Sequence, residues 1–111
     1  MSFTGNEEHT ITLAVASGMT KNYRDAAGSN ATLAHYFGKK EVLELLDQED
    51  CVGMRIYYGL DVDGKKQLII VGVNSSENDL SNGMLLDRSA TCPEHCSSAN
   101  PLNTTPTSMM P

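Results

Sequence analysis

The chain has 111 residues, with 14 acidic and 8 basic side chains, a net charge of −6, three cysteines and no tryptophan. That length suits one domain with a single core. The acidic balance argues against non-specific nucleic-acid binding and against an anionic membrane surface, both of which reward clustered Lys and Arg. No apolar run approaches the roughly 20 residues that span a bilayer. The start, from Met1 to Glu8, has neither the basic opening nor the apolar stretch of a secretory signal, so a cytoplasmic protein is expected if the chain is complete.

Composition divides the chain into three. Residues 1–9 are polar and acidic and read as a flexible N-terminus. Residues 10–87 hold nearly all the aliphatic side chains and read as a single α+β domain. Residues 88–111 are rich in Pro, Ser and Thr and contain two cysteines, Cys92 and Cys96. Such a tail buries too little apolar surface to offset roughly 1–2 kcal/mol of backbone entropy per ordered residue, so it needs a partner or a cysteine link to hold it.

In chain order, Thr12 is a natural helix cap before Leu13 to about Arg24. Ile11, Val15, Met19 and Tyr23 recur every four residues as one apolar stripe. Gly28 lies in the exit loop, and Leu33 to Phe37 reads as a short aromatic strand. Gly38 opens a second helix from Lys39 to about Gln48, whose buried face is expected from Val42, Leu43, Leu45 and Leu46. Its outer face carries Glu41, Glu44 and Asp47.

A β-hairpin follows. Val52, Met54, Ile56 and Tyr58 alternate with Gly53, Arg55, Tyr57 and Gly59, the two-residue period of a strand. Asp61 to Lys65 supplies the turn, with Gly64 suited to a positive φ. Leu68 to Val73 is apolar on both faces and is expected to be a central strand. Asn82-Gly83 marks a further turn, and Met84 to Asp87 a short last strand. The expected architecture is two helices packed on a small antiparallel sheet of three to four strands, with an extended C-terminal tail.

These segments resemble those of a family of small, functionally uncharacterised bacterial proteins. The resemblance is carried by Tyr36-Phe37-Gly38-Lys39, by Cys51-Val-Gly-Met-Arg-Ile-Tyr-Tyr-Gly59, by Asp63-Gly-Lys65, and by Leu68 to Val73 with Asn78-Asp79-Leu80. Leu86-Asp87-Arg88 and the Cys92-Pro-Glu-His-Cys96 ending complete it. The resemblance implies no activity, but it implies that a cysteine pair opened by Cys-Pro is a recurrent feature.

Candidate chemistry centres on few residues. Cys92, His95 and Cys96, with Cys51 and His35 as distant partners, are the ligand types that zinc selects. Their local spacing is a single Cys-x3-Cys with no second close pair. The same cysteines could form a disulfide or act as redox thiols, though in a cytoplasmic setting they are expected to stay reduced. Cys92 with Cys96 closes a tiny loop, whereas Cys51 with either would pin the tail. Asp61-Val-Asp63-Gly64 lacks the acidic flanking ligands of a calcium loop and reads as a turn. There is no nucleophile elbow, phosphate-binding glycine loop or His-Glu-x2-His motif. His35 and Arg55 together are compatible with a small anion.

Tyr57 and Tyr58 are adjacent and point to opposite faces, with Tyr58 expected in the core and Tyr57 outward beside Arg55. Arg55, Tyr57 and Tyr36 are therefore the expected contact residues, since Tyr and Arg are enriched at interface hot spots. The function expected is a non-enzymatic protein–protein interaction or self-assembly module, its partner itself or another protein, with neither nucleic acid nor membrane. The alternative is a zinc-binding or thiol redox-responsive protein using Cys51, Cys92 and Cys96.

Overall fold

A computed structural model describes residues 2–104. The final residues, 105–111, with two of the four prolines of the expected tail, lie outside the described residues. The elements run α1 (Leu13–Ala27), β1 (Ala34–Tyr36), α2 (Lys39–Leu46), β2 (Gly53–Leu60), β3 (Lys66–Val73), β4 (Leu85–Leu86) and β5 (Ala90–Cys92). The fold is α+β: two helices, a three-stranded sheet ordered β2-β3-β4, and a two-stranded sheet of β1 with β5. No helix is long and apolar enough to cross a membrane among the described residues.

Compactness divides the chain into two units. The first unit comprises Met1–Glu8 and His35–Ala90, and the second His9–Ala34 and Thr91–Pro111. The cause is visible in the backbone. In the first unit, Phe3 N–H donates to Ser75 O at 2.9 Å, so the polar N-terminus is tied to the loop after β3. In the second, Leu33 N–H donates to Cys92 O at 2.9 Å and the Arg24 guanidinium donates to Leu102 O at 2.8 Å. The segment read as a tail therefore supplies a strand and an acceptor for α1.

The first unit is built on the hairpin. Eight register pairs, Gly53 with Val73 through Leu60 with Lys66, join β2 and β3. Its turn closes as the Asp61 carboxylate accepts from the Asp63 and Lys65 N–H groups, both at 2.9 Å, while Gly64 takes φ +79°. This local bonding holds Asp61 below the ordinary carboxylate pKa. β3 is central, and Ile70, Val71, Gly72 and Val73 are buried.

Leu45 of α2 packs with Ile70 and Leu86, and Phe37, Val42 and Met84 close around them. Of the four residues expected to form the buried face of α2, Leu45 is fully buried and Val42 partly so, while Leu43 and Leu46 are exposed. Two turns of helix present one ridge to a narrow sheet, so an i, i+3 pair suffices. Past the helix, Gln48 takes over: its Nε2 donates to Leu45 O and its Oε1 accepts from Met84 N–H, both at 2.8 Å. Gly72 and Gly83 admit this side chain, since a Cβ at either position would collide with it.

In the second unit, Thr12 caps α1 as expected, its hydroxyl accepting from Val15 N–H at 3.2 Å. The helix continues to Ala27, and Gly28, at φ +88°, ends it. The stripe of Ile11, Val15, Met19 and Tyr23 is exposed rather than buried. The half-buried positions are Ala16, Ser17, Thr20, Lys21 and Arg24, on the opposite side of the helix.

Candidate functional site

The strongest site in the first unit is an apolar face on β2. Opposed residues of an antiparallel pair share a face, so Met54, Ile56, Tyr58 and Leu60 lie on the side of Ile70 and Leu68. Helix α2 packs over β3 and β4 on that side. The β2 side chains remain open: Tyr58 is 92% and Leu60 72% exposed, and Met54 and Ile56 are each nearly half exposed. Tyr58 thus points to the expected face but is not in the core, because the eight-residue helix is too small to cover a third strand. β2 is also the outer strand of its sheet, with no strand paired along its far side among the described residues.

The opposite face carries Arg55 and Tyr57, which are engaged within the chain. Both the Arg55 guanidinium and the Tyr57 hydroxyl donate to the carboxylate of Asp79, one to each oxygen. Arg55 also donates to Glu77 O at 3.2 Å. The loop is placed for this by Asn74, whose side-chain oxygen accepts from Ser76 and Asn78 N–H at 3.0 Å, and by Glu77 at φ +69°. The Tyr57 hydroxyl bond, then Arg55, hold the Asp79 carboxyl below its ordinary pKa against the opposing effect of burial. The carboxylate in turn raises Tyr57 and Arg55, so the three form a closed, charge-assisted clamp on the 74–79 loop. Their polar heads bond Asp79, while Tyr57 stays 46% exposed.

Tyr36 is 65% exposed and borders a shallow hollow with Phe37, Glu41, Asp87 and Arg88. Its neighbour His35 is half-buried, with Nδ1 2.7 Å from the Ser89 hydroxyl. Partial burial disfavours the charged ring and lowers its pKa. The imidazole and Arg55 have separate partners, Ser89 and Asp79, so no shared anion cradle is formed by the two.

The cysteines separate. Cys92 and Cys96 form a disulfide rather than staying reduced as expected, closing a loop four residues long, and His95 N–H donates across its base to Thr91 O at 2.7 Å. Cys92 is buried and Cys96 exposed. Cys51 is a free thiol that donates to Gly53 O at 3.1 Å just before β2. No group of three or more His, Cys, Asp or Glu that could hold a metal ion occurs among the described residues. No protein-family model, curated protein or solved structure matches this chain.

Two functional features are not read from the sequence. Asp79 falls between the Leu68–Val73 strand and the Asn82-Gly83 turn, and only the Asn74-x3-Asn78 turn chemistry hints that it is fixed. The openness of Tyr58 and Leu60 had one available signal, the shortness of the single helix able to cover the sheet.

Proposed function

We propose that this chain is a non-enzymatic protein–protein interaction module that self-associates through the open apolar face of β2. The observation that carries the reading is the run Met54, Ile56, Tyr58, Leu60, four large apolar side chains in succession on one face of an edge strand. Single exposed apolar residues are ordinary on any surface. Here the four expose on the order of 500 Å² together, a patch of the size that marks interaction sites on soluble monomers. The outer edge of β2 adds unpaired backbone groups beside the patch. The Tyr and Arg expected to make the contact give way to Tyr58 and Leu60, because Arg55 and Tyr57 serve Asp79. Tyr36 remains as an exposed aromatic of the same unit.

Analytical ultracentrifugation of the full chain over a concentration series tests this. Oligomers are expected, and Tyr58→Glu should shift them to monomer without loss of the circular dichroism spectrum. A wild-type protein that stays monomeric at every concentration would remove the reading.

A second reading is favoured by the Cys92–Cys96 pair, in which one sulfur is open and the other covered. In a cytoplasmic setting, which belongs to this proposal, small thiols reach such a bond. A thiolate attacks Cys96 Sγ, the S–S bond breaks, and Cys92 leaves as a thiolate that takes a proton. A second small thiol then displaces the first from Cys96, leaving two protein thiols and one small-molecule disulfide. Counting protein thiols across glutathione buffers reads this directly. A pair that stays oxidised at every ratio, or never oxidises, would rule out a switch.

A further inference from the structure

Resting on the thiol-exchange reading of Cys92–Cys96 given above, we infer that this disulfide is a latch that holds the 97–104 segment on α1, and that its reduction releases the segment. Both cysteines, the segment and α1 lie in the second unit. Cys92 is fixed beside Leu33, whose N–H donates to Cys92 O at 2.9 Å, and its side chain is buried. Cys96 is exposed and stands directly before the segment that the link holds.

The segment is a knot tied by its own side chains. Asn100 Nδ2 donates to Ser98 O at 3.0 Å, and Asn103 Nδ2 donates to Ser97 O at 3.1 Å. The side-chain oxygens of the same two residues accept from Leu102 N–H at 2.8 Å and Asn100 N–H at 2.9 Å. These bonds are internal, so they shape the segment but do not fasten it to the helix. The knot meets α1 at Leu102. Its carbonyl accepts from the Arg24 guanidinium at 2.8 Å, and its side chain, 45% exposed, shares a small hollow with Met19, Tyr23 and Leu33.

Magnitudes make the disulfide decisive. Half-burying one leucine favours the docked state by about fivefold, and an exposed hydrogen bond from a guanidinium does so by about the same factor. The freedom that the segment loses on docking opposes both. Closing a loop this short adds about 20- to 30-fold, by limiting where a released segment can go. The link thus matches the two contacts together, and without it docking stands near balance. In the reduction, two small thiols lose two electrons and become one disulfide. The Cys92–Cys96 bond takes up the electrons and breaks, and each sulfur gains a proton. Release uncovers Met19, Tyr23 and Leu33 in the hollow, so the redox state of the pair sets how much apolar surface α1 presents.

Backbone NMR relaxation of the full chain, oxidised and after reduction with a phosphine, tests the latch. Order parameters over 97–104 should fall from about 0.85 to below about 0.6 on reduction, with the α1 amides unchanged, and recover on reoxidation with glutathione disulfide. Cys92→Ser/Cys96→Ser should reproduce the reduced pattern without any reagent. If the segment stays rigid in the reduced protein or in the variant, the latch is overturned. The same holds if α1 loses its order along with the segment, since the link is then a plain structural staple. In either case the exchange reading stands, provided glutathione buffers still interconvert the thiols and the disulfide. A pair that those buffers leave oxidised at every ratio removes the exchange reading and the regulation built on it, whatever the phosphine does. All three cysteines titrating as free thiols in oxidising buffer would remove both.

Discussion

Replacing Leu45 by Ala should cost far more than replacing Leu43, although both lie on an eight-residue helix and sequence pattern gives them equal standing. Leu45 is fully buried against Ile70 and Leu86, and Leu43 is half exposed. Leu→Ala at a fully buried site loses about 2–3 kcal/mol of transfer free energy, and the unfilled space raises the total to about 3–5 kcal/mol. At Leu43 about half of the transfer loss applies and no cavity forms, so about 1 kcal/mol is expected. A unit of this size has a total stability of only about 3–10 kcal/mol. Leu45→Ala should therefore bring it close to unfolding at 25 °C, while Leu43→Ala leaves a clear native baseline. Urea denaturation followed by circular dichroism, with the slope compared between variants, reads the difference. Equal losses at the two positions would mean that α2 is turned differently on the sheet and that the β2 face is not open as described.

The clamp on the 74–79 loop predicts that Asp79→Asn speeds amide exchange at Glu77 and Leu80 with little change in global melting, measured by hydrogen-exchange mass spectrometry. Unchanged protection would show the clamp to be idle. His35 has a folded pKa below its ordinary 6.5, so the unfolded state binds the proton more readily. Its contribution is present above pH 6.5 and lost as pH falls through the folded value, a loss that His35→Gln should abolish in melting curves taken between pH 7 and 5. Gly72→Ala should destabilise by about 1–3 kcal/mol, since its Cβ would sit 2.9 Å from Gln48 Nε2 and 3.0 Å from Cys51 Sγ. Pairing it with Cys51→Ala and Gln48→Ala should recover part of the loss in a double-mutant cycle, and strict additivity would locate the strain elsewhere.

Much of the fold is legible because local chemistry decides it. The Thr12 cap, the Gly28 stop, the two-residue alternation of β2 and the Asp61-Gly64 turn each involve residues close in sequence, and each appears where the pattern places it. Coverage is different. Periodicity states which side chains share a face, not what lies over that face, and the answer depends on the number and length of the elements available. Tyr58 and Ile70 share a face through the register, yet Ile70 is buried and Tyr58 open, because α2 has two turns and reaches β3 and β4. The α1 stripe is the same failure in a helix: the four-residue spacing of Ile11, Val15, Met19 and Tyr23 defines an apolar side without naming its partner. The segment after Asp87 is the opposite case. Its composition cannot build a core, but Ala90 to Cys92 needs only backbone groups to form a strand, and the short Cys92–Cys96 link needs only local geometry.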